Sequence, residues 1–413
     1  MFFIRKQVCV VGLGKLGLPL LAVIRNSGYP VIGYDRDFAL IENLSSGQFS
    51  FSEPGLNNLL LKLKKSIKFT NKISDIGDSE IFLIIVPTPS DEFGNFINDF
   101  VVDALSGVLK SLENTSQKSK TIVIVSTVMP GSCDNVFKPL IKKWSEKNNY
   151  KVQIKLLYSP EFIALGSVIR NLQYPDTLLV GAESETDATE YIRLSRHVAK
   201  TRPPVRILNY REAEFSKLLV NCYVTMKISF ANFIGEISDK FQNLNPFKIT
   251  ESIGLDSRIG NRYLMPGAGY GGPCFPRDGK ALISSAKEIG LVANLAIATE
   301  EINLRQTERI IKKIENLIQS YQTVGIIGLS YKPGSDVVEE SQMVKVAELL
   351  VNQGKEFRYF DPLVKSINLS SRNFKSVDDI GNLYNCDVIV STSSFIKFLG
   401  KDFLKLNSLI LII

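Results

Sequence analysis

The chain has 413 residues, of which 45% are hydrophobic, and a formal net charge of +7. A chain of this length is too long for one compact core, so we expect two or three globular domains. The positive charge is mild and dispersed apart from one lysine cluster at residues 62–68, which is typical of a solvated helix face, and no nucleic-acid-binding motif accompanies it. We therefore expect no nucleic-acid partner, whereas a phosphorylated small substrate suits the basic balance.

The cysteines and the single histidine narrow the chemistry further. Five cysteines are scattered without a CxxC pair, which predicts reduced thiols in a cytoplasmic protein and no metal site. His197 is the only histidine, which argues against a His-based triad and leaves Lys, Asp, Glu and Asn to handle protons. No apolar run comes near the roughly 18 residues of a membrane span, and the segment from Phe2 to Val8 lacks the long apolar region of a signal peptide. We therefore expect no membrane partner.

In chain order, the first elements form a dinucleotide-binding pattern. A short apolar run, typical of a buried parallel strand, ends in the triplet Gly12-x-Gly14-x-x-Gly17, and a helical segment follows. The next strand ends in Asp35. Glycines admit a pyrophosphate, the helix N-terminus faces its charge, and the acid can bind ribose hydroxyls. An acid here favours NAD over NADP, although the adjacent Arg36 weakens that inference. We predict NAD contacts from Gly12, Gly14, Lys15, Leu16, Gly17, Asp35 and Arg36.

The following strands end in small polar residues or in a carboxylate. Apolar runs at 81–86 and 121–126 are followed by Thr88 and Thr127, and a run near 155–157 leads to Glu161 in a proline-marked loop. The carboxyl ends of parallel strands line the cofactor crevice of a doubly wound sheet, so these three residues are candidate site residues. The alternative for each is a plain turn or helix-capping residue.

A long helix and a glycine-rich loop come next. Residues from about 209 to 240 have a helical pattern without proline, in which Lys217 and Asn221 are four apart and share one face. The run Gly269-Tyr-Gly-Gly-Pro-Cys-Phe-Pro-Arg-Asp278 then presents Cys274 at the predicted start of a helix, where the dipole and unbonded amides lower a thiol's pKa. We predict a nucleophile at Cys274 with Asp278 one turn later. The alternatives are a buried structural cysteine and a solvent-exposed Lys and Asn pair.

A second sheet domain is predicted after helices that continue to about Gln319. Apolar runs at 323–330, 357–360 and 386–390 indicate its strands, and its glycines do not complete a dinucleotide fingerprint. Tyr331 and Lys332 follow the first run, and Asp361 ends the second. The fold class that we predict is α/β, with two Rossmann-like doubly wound sheet domains joined by a long central helix and a helical middle domain.

These motifs together resemble the nucleotide-sugar 6-dehydrogenases, the family of the UDP-glucose and GDP-mannose dehydrogenases. The resemblance spans nearly the whole chain and is closest to the UDP-glucose enzymes. It rests on Gly12–Gly17, Ser126-Thr127, Ser159-Pro-Glu-Phe162, Lys217 with Asn221, Arg258-Ile-Gly260, Gly271–Asp278, Gly328–Lys332 and Asp361-Pro362. It implies an NAD-binding Rossmann domain at 1–208, a central helical domain with the catalytic cysteine and a dimer interface at 209–320, and a nucleotide-sugar-binding α/β domain at 321–413.

The resemblance also implies a reaction, the NAD-dependent four-electron oxidation of UDP-glucose at C6 through a thioester on Cys274. Asp278 would remove the hydroxyl proton through a water held with Thr127, and Glu161 would assist thioester hydrolysis. Another NDP-hexose, such as a UDP-N-acetylhexosamine or GDP-mannose, is an alternative substrate. A two-electron dehydrogenase and a non-catalytic NAD-responsive binding protein are alternatives of a different class.

Further roles that the resemblance implies concern binding. Lys217 and Asn221 would stabilise oxyanions, Lys332 would contact the diphosphate or sugar, and Tyr331 would flank the sugar. Arg258 resembles a residue that reaches a neighbouring subunit, which implies a homodimer built on the central helix. Substrate contacts are predicted for Glu161, Phe162, Lys217, Asn221, Arg258, Tyr263, Gly271, Tyr331 and Lys332.

Three features depart from the family's pattern. Glu339 occupies a position where relatives carry an arginine, so a cation expected near NAD is absent there. Thr392 occupies the position of a frequent tryptophan. The sequence ends at Ile413, before the Asp-x-Arg motif with which relatives contact substrate, so we expect a truncated chain or different substrate contacts in that lobe.

Overall fold

The computed structural model describes residues 5–49, 53–113, 115–317, 323–370, 372–400 and 410–413. The chain forms two compact units, Met1–Leu218 and Leu219–Ile413. Two sequence predictions fall partly outside the described residues: the opening segment at Phe2 and the helix end near Gln319. The predicted domain boundaries at 208 and 320 stay predictions.

The first unit contains an eight-stranded sheet. Its strands are β1 (Val8–Val11), β2 (Val31–Tyr34), β3 (Ile67–Thr70), β4 (Ile81–Ile84), β5 (Ser119–Ile124), β6 (Gln153–Tyr158), β7 (Leu178–Gly181) and β8 (Val205–Leu208). They lie in the order β3-β2-β1-β4-β5-β6-β7-β8. Neighbouring strands are parallel except β6 and β7, which pair antiparallel. The strand order reverses between β1 and β4, and this switch point is where doubly wound sheets bind ligands.

Helices cover both faces of this sheet. They are α1 (Gly17–Asn26), α2 (Phe38–Ser46), α3 (Leu56–Leu63), α4 (Asp99–Ser111), α5 (Lys138–Lys147), α6 (Val168–Gln173) and α7 (Glu185–Val198), with short 3₁₀ turns at Lys64–Ser66 and Ile73–Asp75 and a π-helix at Cys133–Phe137. Alternate residues of β1 enter different cores, Val8 and Val10 on one face and Cys9 and Val11 on the other. This strand is buried on both faces, which explains its continuous apolar run.

The predicted long helix is α8 (Tyr210–Ser238). A capping box begins it, because Glu212 N donates to Asn209 Oδ1 at 2.9 Å and Asn209 N donates to Glu212 Oε2 at 3.0 Å. Among the described helices, α8 alone is long and apolar enough to cross a membrane by length and composition, with 39% of its most apolar window buried. Isolated polar residues divide this window, so it contains no uninterrupted apolar run of that length. Core helices of soluble proteins also pass this test, so the window is weak evidence for a membrane span.

The second unit continues with helices α9 (Pro246–Gly254), α10 (Phe275–Glu288), α11 (Asn294–Leu317), α12 (Gln342–Asn352) and α13 (Ser393–Leu399), and a 3₁₀ turn at Ile380–Leu383. Its strands are β9 (Thr323–Ile327), β10 (Glu356–Phe360), β11 (Ser366–Leu369), β12 (Arg372–Lys375), β13 (Val388–Ser391) and β14 (Ile410–Ile412). A parallel sheet has the order β10-β9-β13-β14, and β11 and β12 form an antiparallel hairpin. The predicted fold class, with two Rossmann-like sheets, is confirmed.

Candidate active site and cofactor site

The turn after β1 has the geometry that a pyrophosphate requires. Gly12 has a φ of +96°, and a Cβ there would collide with the carbonyl oxygen of Ile85, while a Cβ at Gly17 would collide with the carbonyl oxygen of Gly12. At Gly14, no atom beyond the adjacent residues lies within 4 Å of the position that a Cβ would take. The first and third glycines are therefore required by the fold, and the second leaves open space beside the N-terminus of α1. The turn fits the pyrophosphate of a dinucleotide.

Asp35 follows β2 directly and is tied to the same turn. Its Oδ2 accepts a hydrogen bond from Leu13 N at 2.8 Å, and its Oδ1 accepts one from Asp37 N at 3.0 Å. The carboxylate is fixed beside the glycine turn and keeps lone pairs for ribose hydroxyls. Arg36 is exposed, and its guanidinium lies 5.0 Å from the centroid of the Phe100 ring. Lys15 is also exposed, and Leu16 immediately precedes α1.

Thr88 and Thr127 come together at the carboxyl ends of β4 and β5. Thr88 Oγ1 donates to the Thr127 carbonyl oxygen at 2.7 Å, and Ser126 Oγ donates to the Val86 carbonyl oxygen at 2.7 Å. Neighbouring parallel strands bring these segments to one edge of the sheet, as the sequence predicts. Thr88 is buried and Thr127 is half-buried.

Lys217 joins α8 to the loop that contains Glu161. Its Nζ donates to the Glu161 carbonyl oxygen at 2.8 Å and lies 4.9 Å from the centroid of the Phe162 ring. Burial raises the pKa of the Glu161 carboxyl to about 7, although the charge on Lys217 lowers it. The alternative that Glu161 caps a helix is wrong, because α6 begins only at Val168. Instead, the loop brings a carboxyl that titrates near neutral pH to a buried lysine.

Glu214 is a buried residue that the sequence analysis does not single out. Its carboxylate accepts hydrogen bonds from Gly131 N at 2.5 Å and Cys133 N at 2.8 Å. Burial raises the pKa of this carboxyl, and these backbone hydrogen bonds lower it. Glu214 thereby ties the segment after Thr127 to α8. Its position three residues before Lys217 on one helix is the signal that could have found it.

In the second unit, Cys274 is exposed and immediately precedes α10. Asp278, in the first turn of that helix, is 2% exposed, and its Oδ2 accepts a hydrogen bond from Asn221 Nδ2 at 2.6 Å. The predicted helix start at Cys274 is present, so the thiol lies at the positive end of the helix dipole. Because it is exposed, the alternative of a buried structural cysteine is wrong. The thiol of Cys222 contacts the Asp278 carbonyl oxygen at 3.4 Å, and burial raises the pKa of Cys222 to about 12.

The glycines before Cys274 allow the loop to pack closely on other backbone. A Cβ at Gly271 would collide with the Glu340 carbonyl oxygen, and a Cβ at Gly272 would lie 2.6 Å from the Tyr331 ring. Gly272 N donates to the Glu339 carbonyl oxygen at 3.0 Å. Glu339, at the position of the family's arginine, thus supports the cysteine loop through its backbone. Burial raises the pKa of the Tyr331 hydroxyl, and the charge of the Cys274 thiolate raises it further.

A cavity of about 490 Å³ lies beside this loop within the second unit. Among the predicted substrate residues, Tyr263, Gly271, Tyr331 and Lys332 line it, whereas Arg258 is paired in an exposed position with Asp256 at 2.6 Å. The size suits a small-molecule ligand. Polar residues in its lining include Asn261, Ser330, Thr392, Ser393 and Ser394.

Asn232 is a second residue that the sequence analysis misses. It is fully buried on α8, lines the same cavity, and its Oδ1 accepts a hydrogen bond from Gly267 N at 2.7 Å. This bond anchors the loop that precedes Gly271. Asn232 is eleven residues, or about three helical turns, after Asn221 and so repeats the face that Asn221 occupies; that spacing is the signal that could have identified it.

The first unit therefore has the sheet, the glycine turn and the acid of a dinucleotide-binding dehydrogenase domain, and the second adds an exposed thiol and a ligand-sized cavity. The chain belongs to the UDP-glucose/GDP-mannose dehydrogenase family. The NAD binding domain of the family matches residues 6–199, the central domain matches 211–305 and the UDP binding domain matches 325–410. The resemblance read from the sequence is confirmed, and NAD is the cofactor.

Individual relatives agree with this assignment. The chain is 30% identical over 370 residues to the UDP-glucose 6-dehydrogenase of Pseudomonas aeruginosa, which covers 87% of this chain and 80% of that protein. Its fold is similar to that of a UDP-glucose dehydrogenase from Pyrobaculum islandicum, with a TM-score of 0.87, 25% identity and coverage of 99% and 94% of the two chains. A UDP-D-ManNAc dehydrogenase from Pyrococcus horikoshii gives a TM-score of 0.78 at 26% identity, with 93% and 88% covered.

Proposed function

We propose that this chain oxidises the C6 hydroxymethyl group of UDP-glucose to a carboxylate through a thioester on Cys274. The observation that carries the proposal is the exposed thiol at the N-terminus of α10, one turn before a buried Asp278 that is hydrogen-bonded to Asn221. A helix N-terminus favours the thiolate, which is the nucleophilic form. Reduced thiols and NAD suit the cytoplasm as the site of the reaction.

The proposed chemistry assigns one task to each side chain. Two NAD molecules, bound one after the other at the glycine turn and Asp35, would each accept one hydride. As the first hydride leaves C6, Asp278 takes the hydroxyl proton through a water that Thr127 helps to hold. The sulfur of Cys274 then bonds to the aldehyde carbon, and loss of the second hydride from that carbon gives the thioester.

Hydrolysis completes the reaction. Water adds to the thioester carbon and loses a proton to Glu161, the carbon–sulfur bond breaks, and the thiolate of Cys274 is restored. Lys217 and Asn221 stabilise the oxyanions that form when sulfur and water add. The carboxyl of Glu161 suits the role of base because its pKa, raised by burial to about 7, lies near the working pH.

We assign the nucleotide to the cavity of about 490 Å³ in the second unit. The match of the family's UDP binding domain to residues 325–410 supports this assignment. Tyr263 and Gly271 provide one wall, and Tyr331 and Lys332 provide another, with the lysine ammonium as the partner for a diphosphate. UDP-glucose is preferred because the relative from Pseudomonas aeruginosa has that name, and a UDP-N-acetylhexosamine is the alternative that the Pyrococcus horikoshii structure favours.

We also propose that the protein is a homodimer in which α8 packs against a second copy. Large apolar side chains recur at intervals of three, four or seven residues on this helix and the turn that follows, and they are 39–63% exposed. A continuous apolar stripe of this kind is typical of an interaction surface. The exposed guanidinium of Arg258 fits a contact with the neighbouring site. The stripe consists of Leu219, Tyr223, Phe230, Phe233, Ile237, Phe241 and Leu244.

The proposal is tested by incubating the protein with NAD and a panel of UDP- and GDP-sugars while the absorbance of reduced NAD is followed. We expect turnover with UDP-glucose and two reduced NAD per acid formed. The Cys274→Ser variant should form no acid, whereas Cys222→Ser should match the wild type because the Cys222 thiol, with a pKa of about 12, is protonated.

Other outcomes of the same assay would reject specific parts of the proposal. One reduced NAD per product, or normal acid formation by Cys274→Ser, would exclude the thioester route and favour a two-electron dehydrogenase. Turnover with another nucleotide sugar but not with UDP-glucose would replace the substrate. Absence of turnover with every sugar, with NAD binding retained, would favour a non-catalytic NAD-responsive protein.

A further inference from the structure

A small cavity of about 40 Å³ lies inside the first unit, behind the loop that contains Glu161. Three helices and two strands surround it with mostly apolar side chains, such as Leu20 and Ile24 of α1. Four of its lining residues have polar side chains: Glu161, Thr177, Tyr191 and Ser195. A cavity of this volume has room for about two or three waters, and a water needs two or more polar partners, which these residues provide.

Glu161 is held at this cavity by its backbone. Lys217 Nζ binds the Glu161 carbonyl oxygen at 2.8 Å, and Pro160 precedes it in the cavity wall. The charged or titratable groups that face the carboxyl are Lys217 on α8 and Tyr191 on α7. The other side chains in the wall are apolar or bear only a hydroxyl. Burial raises the pKa of Glu161 to about 7, so a partner that donates to the carboxylate would change its titration.

Tyr191 places a phenol oxygen in this wall. It is 4% exposed on α7, and its phenol oxygen interacts with the hydroxyls of Ser159 and Ser195. Ser159 in turn donates to the Leu179 carbonyl oxygen at 2.7 Å, which fixes its position. Burial raises the pKa of Tyr191, so its hydroxyl keeps its proton. Because the Ser159 proton is used on Leu179, the Tyr191 proton goes to Ser159, and the phenol oxygen accepts from a cavity water.

We propose that water in this cavity links the Tyr191 hydroxyl to the Glu161 carboxylate, and that Tyr191 is a positioning residue for the hydrolysis step. The inference rests on the proposed function for the role of Glu161, and it adds a residue that the sequence motifs do not contain. The linked water donates to the carboxylate, stabilises its ionised form and holds it ready to accept the proton of the water that attacks the thioester. The attacking water is a different molecule, so the bonds that form and break in hydrolysis are unchanged.

The Tyr191→Phe variant tests the link because it removes one oxygen and keeps the ring. Loss of the oxygen that holds this water should raise the pKa of Glu161 by about one unit, measured by infrared titration of the protonated carboxyl band that Glu161→Gln abolishes. Tyr29→Phe is the matched control, since Tyr29 belongs to the same apolar core but does not line the cavity; it should leave the band's titration unchanged. An unshifted band in folded Tyr191→Phe overturns the proposal.

Ser195→Ala provides a second variant if Tyr191→Phe fails to fold, and it should shift the same band in the same direction by a smaller amount. In the activity assay, the acid limb of the pH profile for acid formation should move to higher pH by about one unit in Tyr191→Phe. The rate of the first reduction of NAD should stay unchanged. Absence of any NAD reduction by the wild type would reject the proposed function, and the infrared titration would still decide whether Tyr191 and Glu161 are linked.

Discussion

The hydrogen bond between Asn221 and Asp278 lies in the first turn of the helix that follows Cys274. A carboxylate that is 2% exposed needs donors, and Asn221 Nδ2 provides one at 2.6 Å. Removing a donor to a buried charge costs about 1.5–3 kcal/mol, and removing an oxyanion donor costs about 10²-fold in rate. We propose that Asn221 both donates to the buried Asp278 carboxylate and stabilises the oxyanion.

We predict that Asn221→Ala lowers kcat by about 10²-fold, because both the base and the oxyanion lose a donor. Steady-state rates of NAD reduction with saturating UDP-glucose measure the effect. The control is Asn43→Ala, which removes an exposed amide from α2 and should leave kcat unchanged. A kcat for Asn221→Ala within about twofold of the wild type would remove Asn221 from the proposed machinery.

At the scale of elements, two glycines of the turn after β1 serve different needs. Packing of the fold requires Gly17, whereas the proposed ligand requires Gly14. A methyl group at Gly17 would collide with the Gly12 carbonyl oxygen, whereas the same group at Gly14 would enter open space. We predict that Gly17→Ala lowers the free energy of unfolding by about 2 kcal/mol through overpacking. Gly14→Ala should keep the stability of the wild type and weaken NAD binding by about tenfold, because the methyl group occupies space meant for the pyrophosphate.

Denaturant unfolding and calorimetric titration with NAD measure the two effects on the same pair of variants. Each variant is the control for the other, since both add one methyl group to the same turn. Unimpaired NAD binding by Gly14→Ala would mean that the pyrophosphate does not approach this turn. Loss of stability in Gly14→Ala would mean that the space beside it is filled.

The sequence predicts those elements whose signal is local. The apolar run of β1, the glycines after it and the helix after Cys274 are all where periodicity and turn residues indicate. The short strands β3 and β8 and the hairpin of β11 and β12 are not predicted, because four partly exposed residues carry little periodicity. The strand β7 is also not predicted, because its apolar run of four residues is too short to identify a strand. Their pairing depends on neighbours that are distant in sequence.

The candidate site also combines residues that the sequence predicts with contacts that depend on the tertiary structure. The sequence identifies Glu161 and Lys217 as candidates, but the hydrogen bond between them joins residues 56 positions apart. The raised pKa of Glu161 follows from burial beside α1, α6 and α7, which no local pattern encodes. The roles of Glu214 and Asn232 were missed for the same reason, since each binds backbone amides of a loop distant in sequence.

At the scale of the whole molecule, both units contain the same arrangement of strand and glycine turn, but the two turns differ in the space that they leave for a ligand. Gly12 N donates to the last residue of β2, and Gly328 N donates to the last residue of β10, both at 2.9 Å. Asp35 directly follows β2, and Asp361 directly follows β10. The Asp361 carboxylate, however, accepts hydrogen bonds from five groups, and the Phe395 ring fills the space beside Gly328. The second turn is therefore closed, which agrees with NAD binding by the first unit.

The apolar stripe on α8 leads to a prediction about assembly. Phe230 and Phe241 are 51% and 63% exposed, so a charged side chain at either position costs the isolated chain little. A dimer would have to bury those charges without partners, at a cost of several kcal/mol. We predict that the double variant Phe230→Glu and Phe241→Glu is monomeric at concentrations where the wild type is dimeric, as measured by sedimentation velocity.

Leu61→Glu is the matched control for this variant. Leu61 is 59% exposed on α3 of the first unit, away from the stripe in sequence, so the same change of an exposed apolar residue to a glutamate should leave the mass of the assembly unchanged. A wild type that sediments as a monomer, or a double variant that sediments as a dimer, would mean that α8 does not pair two copies. If Arg258 contributes to the site of the neighbouring subunit, dissociation should also lower the activity. Full activity of the monomer would mean that one chain contains the complete active site.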